Sequence, residues 1–84
     1  MKNPFKIKTA RSKVKTSEFA ERVRASRKAC CMSQQVLAGK MGVVRTVITS
    51  YETSKALPSM TAFVLLCKHL KVSPDYLLGY DGKL

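Results

Sequence analysis

The chain has 84 residues, and its 16 Lys and Arg against five Asp and Glu give a net charge of +11, a balance that suits a polyanionic partner and says nothing by itself about fold. A chain of this length forms one domain at most and buries only about 60% of its unfolded surface, which leaves little room for an enzyme pocket. No apolar run near Met1 has the roughly seven to fifteen residues of a secretory leader and no segment approaches the about 18 of a membrane span, so a cytoplasmic protein with no membrane contact is expected.

Residues 1–16 form a basic N-terminal arm. They hold Lys2, Lys6, Lys8, Arg11, Lys13 and Lys15 with no acid, leaving +5 for residues 17–84. With few large apolar residues and no helical period, the arm can order along phosphates or in a minor groove through Lys6, Lys8, Arg11, Lys13 and Lys15. Two other readings stay open: a solvated tail, and a short edge strand over Phe5-Lys6-Ile7-Lys8-Thr9 that pairs with a partner subunit.

A first helix is predicted from about Glu18 to Ala29, with Ser17 as N-cap and Glu18 and Glu21 near the positive end of the dipole. Phe19, Val23 and Cys30 share its apolar stripe, and Arg22, Arg24, Arg27 and Lys28 are expected on the other side. Cys30, Cys31 and Cys67 are odd in number, and adjacent cysteines are poorly placed to bridge, so reduced thiols fit better than a disulfide framework. Cys67 with His69 and the Cys30-Cys31 pair could supply four zinc ligands, but neither pair has the spacing of a structural site. No metal or other cofactor is expected, and Cys67 is read as a small core residue.

The most informative stretch runs from Ser33 to Glu52. Ser33 caps a second helix that buries Leu37 and Ala38; the small Ala38 lies four residues before Gly42, where the following helix can cross closely. Gly42 supplies the turn, because Gly takes left-handed dihedrals without steric cost. In the next helix Val44, Ile48 and Tyr51 recur at helical spacing and are expected to bury one face, while Arg45, Thr46, Thr49 and Ser50 fall on the other. That is a helix-turn-helix whose second helix, about residues 44–53, presents short or forked hydrogen-bonding side chains instead of Glu and Lys.

Pro58-Ser59 starts a fourth helix with Met60, Phe63, Val64, Leu66, Cys67 and Leu70 as a thick apolar face. Ser73-Pro74-Asp75 opens a fifth, with Ser as cap and Pro pre-set at the first helical position, and Gly79 ends it. His69, the sole histidine, is expected to be exposed or capping. Five scattered acids offer no carboxylate pair, and there is no Gly-rich phosphate loop, so no enzyme is predicted.

This order resembles the Cro and phage-repressor-like helix-turn-helix proteins, the Xre family. The resemblance covers residues 17–79 and rests on Arg24-Ala25-Ser26-Arg27-Lys28, Ser33-Gln34-Gln35-Val36-Leu37-Ala38, Met41-Gly42-Val43, Ile48-Thr49-Ser50-Tyr51-Glu52, the loop Thr53–Ser59 and the closing Leu70–Gly79. It implies an all-α, compact five-helix lambda-repressor-like domain at 17–79, between the arm and a C-terminal tail at 80–84. It further implies that Gln34 holds a phosphate and that Lys55, with Ser54 and Lys40, adds phosphate contacts. Arg45 and Thr46, with Thr49 and Ser50 one turn later, would read base edges in the major groove, and Val44 could touch a thymine methyl. Three positions depart from the family pattern: Ala29-Cys30-Cys31-Met32 and Ser54 stand where Gly is usual, and Val44 replaces a Ser or Thr cap.

The function expected from this is a sequence-specific regulator that binds double-stranded DNA, a repressor of phage or mobile-element type. Such domains usually bind as homodimers on half-sites roughly 34 Å apart. The dimer surface is expected on the fourth and fifth helices and the tail, with Tyr76, Leu77 and Tyr80 partly exposed; the alternative is that these residues close the monomer core. Two other functions compete: the antitoxin of a toxin–antitoxin pair, with a toxin or other regulator as protein partner, and a non-specific nucleic-acid binder.

Overall fold

The computed structural model describes residues 16–80, so the predicted basic arm, its possible edge strand and residues 81–84 of the tail lie outside the described residues. Five helices and no strand make up the described part: α1 Thr16–Ala29, α2 Gln34–Met41, α3 Arg45–Glu52, α4 Met60–Leu70 and α5 Pro74–Leu78. Their ends are set locally. Ser33, Ser59 and Ser73 each accept a backbone N–H bond at the start of α2, α4 and α5, from Val36, Ala62 and Tyr76 respectively, and each such cap is worth about 1 kcal/mol. Gly42 and Gly79 end α2 and α5 at φ 73° and 74°, with the Val43 N–H closing back onto the Ala38 carbonyl at 3.0 Å.

The helices bury one apolar cluster. Phe19 and Val23 from α1 meet Leu37, Ala38 and Met41 from α2, Ile48 and Tyr51 from α3, Leu66 and Leu70 from α4, and Leu77 from α5. Val23, Leu37, Ile48, Leu66, Leu70 and Leu77 are fully buried, and at about 1.5–3 kcal/mol each they outweigh all the caps together. Ala38, at 0% exposure, leaves the space in which α2 and α3 cross. The short α5 is tied to α1 by Arg22, whose Nη1 donates to the Tyr76 carbonyl at 3.1 Å and whose guanidinium lies 4.8 Å over the Tyr76 ring.

Several sequence expectations need correction. Helix α1 already includes Thr16 and Ser17, so Ser17 is an exposed first-turn residue and no cap; the Thr16 carbonyl is taken by the Ser54 hydroxyl at 3.3 Å. Val44 does not join the buried face of α3: it is the extended N-cap residue and is 67% exposed. Met60 and Val64 also face outward, because the core has room for only one side of α4, that of Leu66 and Leu70. Leu77 is fully buried, leaving Tyr76 and Tyr80 as the exposed pair. Cys67 packs against the core edge as expected, while Cys30 is half-buried with its thiol donating to the Leu70 carbonyl at 3.4 Å.

The largest correction concerns Arg27. It is not on a solvated face but buried, together with Glu52 at the end of α3. Both Cys31 and Ser54, at the two places where the family pattern has Gly, take left-handed backbone, φ 58° and 63°. The loops therefore keep the shape that Gly would favour, at about 1–2 kcal/mol of strain each.

Candidate nucleic-acid interface

The functional surface grows out of the Arg27–Glu52 contact. Arg27 follows Val23 by one helical turn and so points inward from α1, while Glu52 follows Ile48 by one turn and points inward from α3. Two carboxylate oxygens face one guanidinium: Nε donates to Oε2 at 2.7 Å and Nη2 to Oε1 at 3.1 Å. The remaining Nη1 donates to the Met32 carbonyl at 2.8 Å, fixing the turn between α1 and α2. Such a fork is the strong form of the charge-assisted bond.

Gln34 extends this set to the surface. Its Nε2 donates to Glu52 Oε1 at 2.9 Å, which fixes the orientation of the amide and turns its oxygen toward α3. That oxygen accepts from Thr49 Oγ1 at 2.9 Å and from Arg45 Nη1 at 3.2 Å. Arg45 is thereby held at the mouth of α3 with its Nε and Nη2 edge left for a ligand. A continuous chain of hydrogen bonds runs from the Met32 carbonyl through Arg27, Glu52 and Gln34 to Arg45.

Other side chains on α3 complete an exposed polar face. Ser50 Oγ donates back to the Thr46 carbonyl at 2.9 Å, so its lone pairs are what it offers outward; the same holds for Thr49, whose proton goes to Gln34. Thr46 is exposed and has no side-chain hydrogen bond among the described residues. Val44 stands at the entrance of the helix as an exposed apolar contact. Beyond α3, the Lys55 N–H donates to the Ser50 carbonyl at 2.9 Å, which folds the loop back on the helix and leaves exposed Lys55 beside its end. Exposed Ser54 precedes it, bonded to Thr16. Lys40, by contrast, lines a different groove with Lys68, His69 and Lys71.

Glu52 carries the electrostatics of this region. Burial alone would raise its pKa, but the hydrogen bonds from Arg27 and Gln34 and the charges of Arg27 and Arg24 outweigh burial and hold the carboxyl below its ordinary 4.5. Arg24, half exposed, reaches Oε1 at 3.7 Å and adds only a screened attraction. Sequence reasoning missed Glu52 and Arg27 as a pair. The signal was there in the spacing: Phe19, Val23 and Arg27 fall on one stripe at intervals of four.

Set beside known proteins, this arrangement is a helix-turn-helix domain. The helix-turn-helix family profile matches residues 23–77, and the chain belongs to that family. Among curated proteins it is similar to repressor protein C2 of Salmonella phage P22, 38% identical over 66 residues, which are 79% of this chain and 31% of the phage protein. It is also 33% identical over 61 residues to the uncharacterized regulator YobD of Bacillus subtilis strain 168, 73% of this chain and 54% of that one. The matched segment thus spans about a third to a half of these relatives. Among solved structures, the P22 C2 repressor in complex with a synthetic operator superposes with a TM-score of 0.71 at 38% identity, covering 75% of this chain and 96% of that one. The restriction-modification controller protein C.AhdI of Aeromonas hydrophila gives 0.69 at 27% identity, covering 74% and 94%.

A prediction follows for Glu52. Its depressed pKa means that its contribution to stability is full above about pH 5 and is lost as pH falls through 4.5 and then through the folded-state value. Gln34→Ala removes one of the lowering hydrogen bonds, so the carboxyl titration followed by carbon NMR should move up toward 4.5 and acid unfolding should begin at higher pH. An unaltered Glu52 titration would mean that Gln34 is not bonded to it in solution.

Proposed function

We propose that this chain is a sequence-specific double-stranded DNA-binding regulator that acts as a repressor, with α3 in the major groove. The observation that carries this is Arg45, held by Gln34 at the start of an exposed polar helix with its outer edge free. A guanidinium edge there fits guanine O6 and N7, and each such contact discriminates by roughly 1–3 kcal/mol. Thr46, Thr49 and Ser50 are the neighbouring base readers, and Val44 meets a thymine methyl. The similarity to a phage repressor domain solved on its operator supports the same reading.

Phosphate contacts set the register. Lys55 and the Ser54 loop lie at the end of α3, and Gln34 has the remaining amide proton to offer to a backbone oxygen. The arm adds charge through Lys6, Lys8, Arg11, Lys13 and Lys15. The first described residue, Thr16, is bonded to Ser54, so the arm joins the domain next to this phosphate-contacting loop.

Binding is proposed to involve two copies of the chain. Leu57, Met60 and Leu78 are 56%, 76% and 63% exposed and, with Phe19, Pro58 and Phe63, surround a shallow apolar groove of about 280 Å³. This patch adjoins the loop that leaves α3, and helix-turn-helix domains of this size commonly pair on two half-sites through a two-fold interface. A second copy is the occupant that fits this placement.

Two experiments test these proposals. Arg45→Ala should relax sequence preference in selection from random DNA, whereas Lys55→Ala should weaken all sequences alike and lower the salt slope by roughly one unit; a uniform loss for Arg45→Ala would make it a phosphate contact instead. Met60→Glu combined with Leu57→Glu replaces two exposed side chains and should leave the fold intact while shifting sedimentation equilibrium toward monomer. An unchanged association constant would exclude this patch as the dimer surface.

A further inference from the structure

A second concave surface lies at the C-terminal ends of α2 and α4. Lys40 in the last turn of α2, Lys68 and His69 in the last turn of α4, and Lys71 just beyond it line a groove of about 490 Å³ with Cys30 and Met32. The three lysines are exposed and His69 is half-buried. No acidic side chain lines the groove, and among the described residues none of the three lysines makes an ion pair. No residue of α3 or of the 53–59 loop takes part, so the groove is distinct from the base-reading face.

Basic residues near a helix C-terminus offset the exposed carbonyls there. That accounts for one cation at the end of each helix, but not for four nitrogen-bearing side chains converging on one groove. Lys71 moreover sits at φ 60°, where Gly would be relaxed.

We propose that this groove binds a phosphate-bearing ligand of multiple negative charge. Ammonium groups act on phosphate as point charges, and three of them within one groove match a polyphosphate or a run of phosphodiesters, whereas a single carboxylate would leave two uncompensated. His69 supplies a ring N–H, and Met32 with Ala29 supplies an apolar floor. The phosphate can come from a free small molecule or from a nucleic-acid backbone passing this side of the domain. Met32 is also the residue whose carbonyl accepts from Arg27 Nη1 at 2.8 Å, so the groove borders the residue at which the hydrogen-bond chain to Arg45 begins.

The test uses the full chain and tripolyphosphate, without DNA, so its outcome is independent of the regulator reading. Because the chain has one histidine, its imidazole signals in proton NMR report on the groove without ambiguity. The expected result is a saturable shift of those signals, with Lys68→Gln and Lys71→Gly each weakening binding about fivefold. Lys71→Gly also relieves the left-handed backbone, so loss of fold cannot explain the effect. Lys28→Gln removes the same single charge from exposed α1 surface outside the groove and should leave the affinity nearly unchanged. No saturable shift at His69, or an equal loss in the Lys28 variant, would overturn the proposal. Given the shift, the salt slope of duplex binding identifies the source: a drop of about one unit in Lys68→Gln assigns the groove to a DNA backbone, and an unaltered slope assigns it to a free ligand.

Discussion

The fork between Arg27 and Glu52 joins α1 to α3, the helix that carries the proposed reading face. A connected set of polar contacts runs from it: the Met32 carbonyl, the Gln34 amide and, through that amide, Thr49 and Arg45. A buried ion pair of this kind adds little net stability compared with well-packed apolar residues, although removing one partner alone costs about 3–5 kcal/mol. Its value here is geometric. Glu52 can accept from Gln34 Nε2 only with the amide turned one way, and that orientation leaves Gln34 with an oxygen facing Arg45.

Stability comes from elsewhere. Six fully buried aliphatic side chains from all five helices hold the domain together, and serine caps and two left-handed glycines set where the helices begin and end. This separation lets the surface of α3 vary without loss of fold. Two loops, at Cys31 and Ser54, keep left-handed residues without Gly; the core and the Ser54–Thr16 bond impose a backbone that the local sequence does not prefer.

Much of this was legible in the chain because it is local. Ser33, Ser59 and Ser73 announce their helices, Gly42 and Gly79 end theirs, and Leu37, Ala38, Ile48 and Tyr51 mark the crossing of α2 and α3 by spacing alone. The errors arose where a residue's fate depends on what lies opposite it. Met60 and Val64 count as apolar in any periodic pattern, yet no element covers them. The charge of Arg27 points to solvent, whereas its place on the Phe19–Val23 stripe points inward, and its partner lies 25 residues away. Gln34 and Arg45 could each be named as contacts from the family pattern; that one holds the other in place required the third dimension. Lys71 gave no signal, since a left-handed lysine looks like any other lysine in sequence.

The central claim is that the buried pair serves the reading face more than stability. Replacing both partners, Arg27→Met with Glu52→Leu, separates the two roles. The account predicts a folded variant of near-normal thermal stability whose preference for its best site over a site changed at the guanine proposed to face Arg45 falls by about tenfold or more, from an interaction worth roughly 1–3 kcal/mol. A stable variant that kept its full base preference would contradict it, and so would a variant that failed to fold.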